Sequence, residues 1–179
     1  MNLTVITPPE EEPVSVETAK LHMRVDHSAD DALIQTYLVA AREYGEGLAR
    51  RAFVTQTLRL VVDTWPAVLK LPRPPLQSVE SVTYLDSDGV EHEWTDFTMD
   101  NRSEPGRVIF NSTPNTLLAE SGAISVEFVA GYGTAAAVPY GFVQAILLTA
   151  THWYENREAA MGIPAGAKAL YMANRGSWF

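Results

Sequence analysis

The sequence predicts an α+β fold: a helical body of two N-terminal and two C-terminal helices with an inserted antiparallel β-sheet or sandwich unit. Two observations carry this. Apolar residues recur every three to four positions in residues 16–51 and again in 139–173, but alternate with period two across much of 55–128. The strand candidates are also grouped between the helices instead of alternating with them, which argues against a parallel βαβ arrangement. At 179 residues the chain is long enough for one compact domain. Folding such a chain buries roughly 70% of its unfolded surface, so a core forms without staples.

Residues 1–13 contain three prolines and Glu10-Glu11-Glu12, and read as extended. They lack the basic start and apolar centre of a secretion signal. Ser15 is a good N-cap for a short helix from Val16 to about Arg24, with Glu17 placed favourably in its first turn. Asp30 is the next cap candidate. From Asp31 to about Arg51, residues Leu33, Ile34, Tyr37, Leu38, Ala41, Tyr44 and Leu48 form one apolar stripe. Gly45 and Gly47 weaken its last turns by roughly 1 kcal/mol each relative to alanine. Arg50 and Arg51 sit where cations complement a helix C-terminus.

The period then changes. Leu58, Leu60 and Val62 alternate with their neighbours from Thr55 to Asp63, as in a strand. Leu71-Pro72-Arg73-Pro74-Pro75-Leu76 lacks the amide donors a central ladder needs and reads as an extended connector or edge. Val79 to Leu85 is a second strand, Asp86-Ser87-Asp88-Gly89 a hairpin loop, and Val90 to Trp94 the returning strand. Phe97 to Met99, Arg107 to Phe110 and Ala123 to Phe128 are shorter strand candidates. Ala130-Gly131-Tyr132-Gly133 turns the chain into a helix from Pro139 to about Arg157, with Phe142, Val143, Ile146, Leu147, Ala150, Trp153 and Tyr154 at helical spacing. Pro139 suits the first helical position. Gly162-Ile163-Pro164 interrupts, and a last helix covers about Ala165 to Ala173. The expected division is a single domain made of N-terminal helices (1–53), a β insertion (54–130) and C-terminal helices with a tail (138–179).

The net charge is −9. Residues 61–138 hold 11 acids against 4 bases, so the middle section carries most of it. Such a surface repels phosphate and argues against tight or sequence-specific DNA binding. There are no cysteines, which excludes disulfides, thiol catalysis and thiolate metal sites. No apolar run approaches the ~20 residues of a membrane helix.

Reactive chemistry is sparse. His22 with Asp26, and His152 with Glu155, are the pairs that a small metal-dependent enzyme or ligand-binding domain would use. Each lacks an evident third protein ligand, and capping or packing explains them more simply. Gly131-Tyr132-Gly133 lacks both the third glycine of a dinucleotide fingerprint and the Lys-Ser/Thr of a phosphate loop. There is no Gly-x-Ser-x-Gly elbow. Asp86 and Asp88 are a turn signature before they are a catalytic pair. The C-terminus is different: Tyr171, Arg175, Trp178 and Phe179 are residue types that anchor interfaces. Folding back onto the chain's own core is the competing use for them.

Several segments, in this order, resemble the head–tail connector (adaptor) proteins of long-tailed bacteriophages, prophages and gene transfer agents. They are Pro-Val-Ser-Val-Glu-Thr-Ala-Lys-Leu-His-Met-Arg-Val-Asp at 13–26, Asp-Asp-Ala-Leu-Ile at 30–34 and Arg51-Ala52-Phe53-Val54-Thr55-Gln56-Thr57. The proline connector 71–76, the Ala-Gly-Tyr-Gly turn and His152-Trp153-Tyr154-Glu155-Asn156-Arg157-Glu158 complete the series. One departure is that Ala49 precedes Arg50-Arg51 where comparable members often carry glycine, which bears on the geometry of that helix exit. The resemblance implies a structural virion protein with no enzymatic activity and no cofactor. It implies a ring, typically of twelve copies, docked beneath the portal protein and offering a surface to a neck- or tail-side stopper or tail component. DNA passes its lumen without specific binding, and no membrane is involved. On the same resemblance Arg175, Trp178 and Phe179, with Tyr171, become portal-interface candidates.

Overall fold

The computed structural model describes residues 2–114, 122–157 and 162–176. The fold is α+β, with two helices before and two after a set of antiparallel strands. The chain divides into two compact units, one comprising Met1–Pro9 and Thr55–Gly131, the other Glu10–Val54 and Tyr132–Phe179.

The helical unit begins with α1, Val16–Met23, capped by Ser15 Oγ, which accepts from the Thr18 amide at 3.2 Å. Helix α2 spans Asp31–Ala49. Asp30 occupies its N-cap position, but its carboxylate accepts from the Tyr154 hydroxyl at 2.7 Å and makes no cap bond. Helix α3 is Tyr140–Asn156, with Pro139 one residue ahead of its expected position, and α4 is Ala165–Ala173. Their apolar faces meet in one core that includes Ile34, Leu38, Phe53, Phe142, Ile146 and Trp153. Phe53 stacks on Phe142 with centroids 4.3 Å apart and on Tyr171 at 6.2 Å. Burying side chains of this size contributes roughly 1.5–3 kcal/mol each.

Among the described residues the β unit holds eight strands: β1 Asn2–Thr7, β2 Gln56–Val62, β3 Val68–Lys70, β4 Leu76–Leu85, β5 Glu91–Glu93, β6 Phe97–Asp100, β7 Arg107–Phe110 and β8 Ile124–Ala130. One sheet runs β1-β2-β8-β4-β5 and the other β3-β7-β6. The alternation in β2 and β8 sets the register. Leu58 faces Phe128, Leu60 faces Val126 and Val62 faces Ile124, and all six are buried. A one-residue slip would turn this row to the opposite face. Trp65 joins the two sheets, packing edge-on against Phe110 of β7 at 4.8 Å and Tyr84 of β4 at 5.8 Å.

Two strands depart from expectation. Residues 1–13 read as extended connector, yet Asn2–Thr7 pairs antiparallel with β2 and becomes the sheet's outer strand. The short β3 was also absent from the periodicity, because three residues carry no measurable period. No helix among the described residues is long and apolar enough to cross a membrane.

Candidate functional site: an assembly interface

The four residues singled out near the C-terminus have different fates. Tyr171 lies in the helical core. Its side chain is fully buried, and its hydroxyl donates to the Ala41 carbonyl at 3.1 Å. Burial pushes its phenol well above the ordinary range. The ring lies so close to α2 that a Cβ at Gly45 would come within 2.3 Å of Tyr171 Cε1. The signal was in the sequence: a glycine in the apolar stripe of α2 marks a place where another element comes close. Arg175 is half-buried, its guanidinium 3.7 Å from Met172 Sδ. Trp178 and Phe179 lie outside the described residues.

The chain leading to those two residues is fastened to the end of α2. The Gly176 amide donates to the Ala49 carbonyl at 3.1 Å, and Arg51 Nε donates to the Asn174 carbonyl at 2.6 Å. Both bonds depend on how α2 terminates. Arg50 is in the left-handed conformation at φ 57°, and its amide donates to the Glu46 carbonyl. The exit without glycine is therefore made by an arginine in a conformation that favours glycine. That costs about 1–2 kcal/mol locally, against a cation placed at the negative end of the helix dipole.

Beneath this exit lies an ion-pair frame that sequence reasoning missed. Arg42 is buried. Its Nε donates to both carboxylate oxygens of Glu12 at 2.8 and 3.1 Å, and Nη1 donates to Glu46 at 3.2 Å. Glu46 Oε1 accepts the Phe53 amide at 2.8 Å. Burial raises the Glu12 carboxyl above its ordinary range, against the opposing pull of Arg42. Glu11 accepts the Ala135 amide at 2.8 Å, at the start of the 3-10 turn Ala135–Ala137. Of the Glu10-Glu11-Glu12 triplet, Glu11 thus holds backbone in place and Glu12 pairs with a buried arginine. An arginine on the buried side of a helix stripe was the available clue, since it demands carboxylate partners.

The histidine pairs are local structure. Helix α1 ends at Met23 with Arg24 left-handed, so Asp26 lies beyond the helix, and His22 Nδ1 pairs with Thr151 Oγ1 at 2.9 Å. His152 Nδ1 lies 3.1 Å from Asn156 Nδ2, and Glu155 is exposed. Among the described residues no group of three or more histidines and carboxylates is placed to hold a metal ion. The acids of the β unit serve their own turns. Asp86 accepts the Asp88 and Val90 amides and pairs with His92 Nε2 at 2.6 Å. Asp100 accepts from Ser103 and Arg107.

Residues 13–93 match the family model described as the phage gp6-like head-tail connector protein. A chain from the neck of an empty gene transfer agent particle, computed with C6 symmetry, superposes end to end with a TM-score of 0.84 and 26% identity, covering 100% of this chain and 97% of that one. Residues 13–93 are thus similar to the head–tail connector family, and the whole chain shares its fold with a gene transfer agent neck chain. A chain from the virion of a native gene transfer agent particle gives a TM-score of 0.82 at 26% identity, over 100% of the connector and 97% of its own length. A chain from a native particle neck computed with C12 symmetry, at 24% identity and a TM-score of 0.74 over the same shares, has the same fold. No curated protein sequence matches the connector. The family is structural and not enzymatic, so an assembly surface, and not a reaction centre, is the feature to seek.

Proposed function

We propose that this connector is the head–tail adaptor of a phage-like or gene-transfer-agent particle. It docks beneath the portal, forms a ring that extends the DNA channel, and joins the capsid to the neck or tail. The observation that carries this reading is the superposition on a neck chain over 100% of this chain and 97% of that one. The sixfold symmetry of that neck is compatible with a ring of twelve copies. A net charge of −9 supports a lumen through which DNA slides without adhering. Arg175, Trp178 and Phe179 are the portal-facing candidates. The opposite face receives a stopper or tail component. The ring resides in the virion neck after synthesis in the host cytoplasm.

The test is electron microscopy of the connector mixed with its cognate portal. A ring of added density below the portal is expected. Portals bare of such density at connector concentrations well above micromolar would refute the reading.

A further inference from the structure

Residues that follow a final helix are ordinarily held by little. Past α4 the main chain is held from outside its own helix. Gly176 is buried and its amide donates to the Ala49 carbonyl at 3.1 Å, while Arg51 Nε donates to the Asn174 carbonyl at 2.6 Å. Both partners belong to the exit of α2, and Arg51 is 123 positions from Asn174 in sequence. Arg51 itself projects from a fixed base. Its amide and that of Arg50 both donate to the Glu46 carbonyl, and Ala52 and Phe53 after it are fully buried. Its bond to Asn174 runs from a charged donor to a carbonyl, the stronger kind of hydrogen bond.

What these bonds fix is the path of the backbone, not the side chain that it carries. Among the described residues the Arg175 guanidinium meets only the Met172 sulfur, a weak acceptor, at 3.7 Å. A held backbone bearing an uncommitted cation lowers the ordering cost of a later contact. We propose that Arg51 is a positioning residue for portal docking: it holds Asn174–Gly176 so that Arg175 is presented in one place. The inference deepens the portal-docking reading above and rests on it. The location of the bond argues against a role in stability alone. Helix α4 is already seated by Ala167 and Tyr171, both fully buried, whereas the Arg51–Asn174 bond is exposed. Cutting it loosens the end of the helix and leaves the stacks of Phe53 on Phe142 and Tyr171 in place. The rival reading is that Arg51 touches the portal itself.

The experiment measures binding to the cognate portal for the full chain, for Arg51→Ala, for a chain lacking Arg175 to Phe179, and for the two changes combined. Hydrogen exchange at the Gly176 amide is followed in the full chain and in Arg51→Ala. Arg51→Ala should weaken binding about tenfold, equivalent to ~1.4 kcal/mol. It should also speed exchange at Gly176 about tenfold, and in the shortened chain cost less than about a further twofold. Gly176→Pro removes the amide that Ala49 accepts without touching α2, and should weaken binding likewise; it decides the matter should Arg51→Ala fail to fold. Arg51→Ala that binds as the wild type, where the deletion weakens binding, overturns the inference alone. So does Gly176 exchange that Arg51→Ala leaves unchanged. An equal loss in the full and shortened chains overturns it too, because Arg51 then meets the portal directly. A shortened chain that binds as tightly as the full one overturns the portal-facing reading of the C-terminus instead.

Discussion

Two glycines on α2, two residues apart, should respond to the same substitution with opposite signs. At Gly47 a new Cβ meets nothing within 4 Å, so Gly47→Ala gains the helix propensity of alanine, about 1 kcal/mol. At Gly45 the same methyl would lie 2.3 Å from Tyr171 Cε1 and 2.7 Å from Cζ, in a core where the ring has no free space. Relief requires α4 to move or Tyr171 to leave its rotamer. Overpacking of this kind costs about 1–3 kcal/mol, and losing the Tyr171–Ala41 hydrogen bond adds about 1 kcal/mol. Offset by the same propensity gain, Gly45→Ala should come out about 1–3 kcal/mol less stable than the wild type. For a chain of this size that is a fall in Tm of roughly 2–12 °C, against a rise of about 2–4 °C for Gly47→Ala. Denaturant titration with both variants side by side measures the difference. If Gly45→Ala equals or exceeds Gly47→Ala in stability, Tyr171 does not pack against α2. Its assignment to the core then fails.

Arg42→Ala leaves the Glu12 and Glu46 carboxylates buried without their cation, and should destabilise the connector by about 3–5 kcal/mol in denaturant titration. A loss below 1 kcal/mol would show that the frame is not closed in solution. The β unit should be the more acid-sensitive of the two. Hydrogen bonds from His92 and Val90 to Asp86, from Ser112 and Asn111 to Asp96, and from Ser103 and Arg107 to Asp100 hold all three carboxyls below their usual range. Their stabilisation is complete above about pH 4 and is lost as the pH falls toward the lowered folded values. Glu12 has the opposite sign: its folded value is raised, so stability falls as pH rises through it and is regained on acidification. Hydrogen exchange resolved by segment at pH 3 to 7 should therefore show β-unit amides opening first, and earlier opening of α2 would contradict this. Deleting Ser177 to Phe179 should weaken portal binding and leave Tm within about 1 °C; a large fall in Tm would place those aromatics in the core instead.

Periodicity made the helices and the long strands legible because their burial is one-sided. The Ser15 cap, the stripe of α2, the alternation of β2 and the Asp86–Gly89 turn each rest on local rules, and each lies within about two residues of its expected place. What stayed hidden depends on partners distant in sequence. Asn2–Thr7 is a strand because β2, more than fifty residues later, offers it a ladder. Glu11 and Glu12 read only as part of an extended acidic stretch until the fold brings Ala135 and Arg42 beside them. Tyr171 resembled an interface aromatic because its position near the C-terminus concealed the glycine that receives it. The candidate site was legible only as a resemblance, since an assembly surface has no reactive signature to find.

The arginines show why the helix ends were nevertheless placed correctly. Arg24, Arg50 and Arg157 each terminate a helix in the left-handed conformation, at φ 59°, 57° and 52°, and each donates its amide back to a carbonyl of the last turn. A search for glycine finds none of these exits. A search for a cation where the helix dipole is negative finds them, because the charge preference outlives the conformational one. The left-handed turn is then imposed by where the chain must go next, and the local cost of about 1–2 kcal/mol is borne by the core it allows to close. At α2 that direction is what sends Phe53 into the stack with Phe142 and leaves Ala49 and Arg51 to hold Asn174 and Gly176. The helix exit and the start of the C-terminal segment are therefore one structural unit. A substitution that redirects Arg50 should disturb the tail's anchor before it disturbs any strand of the β unit.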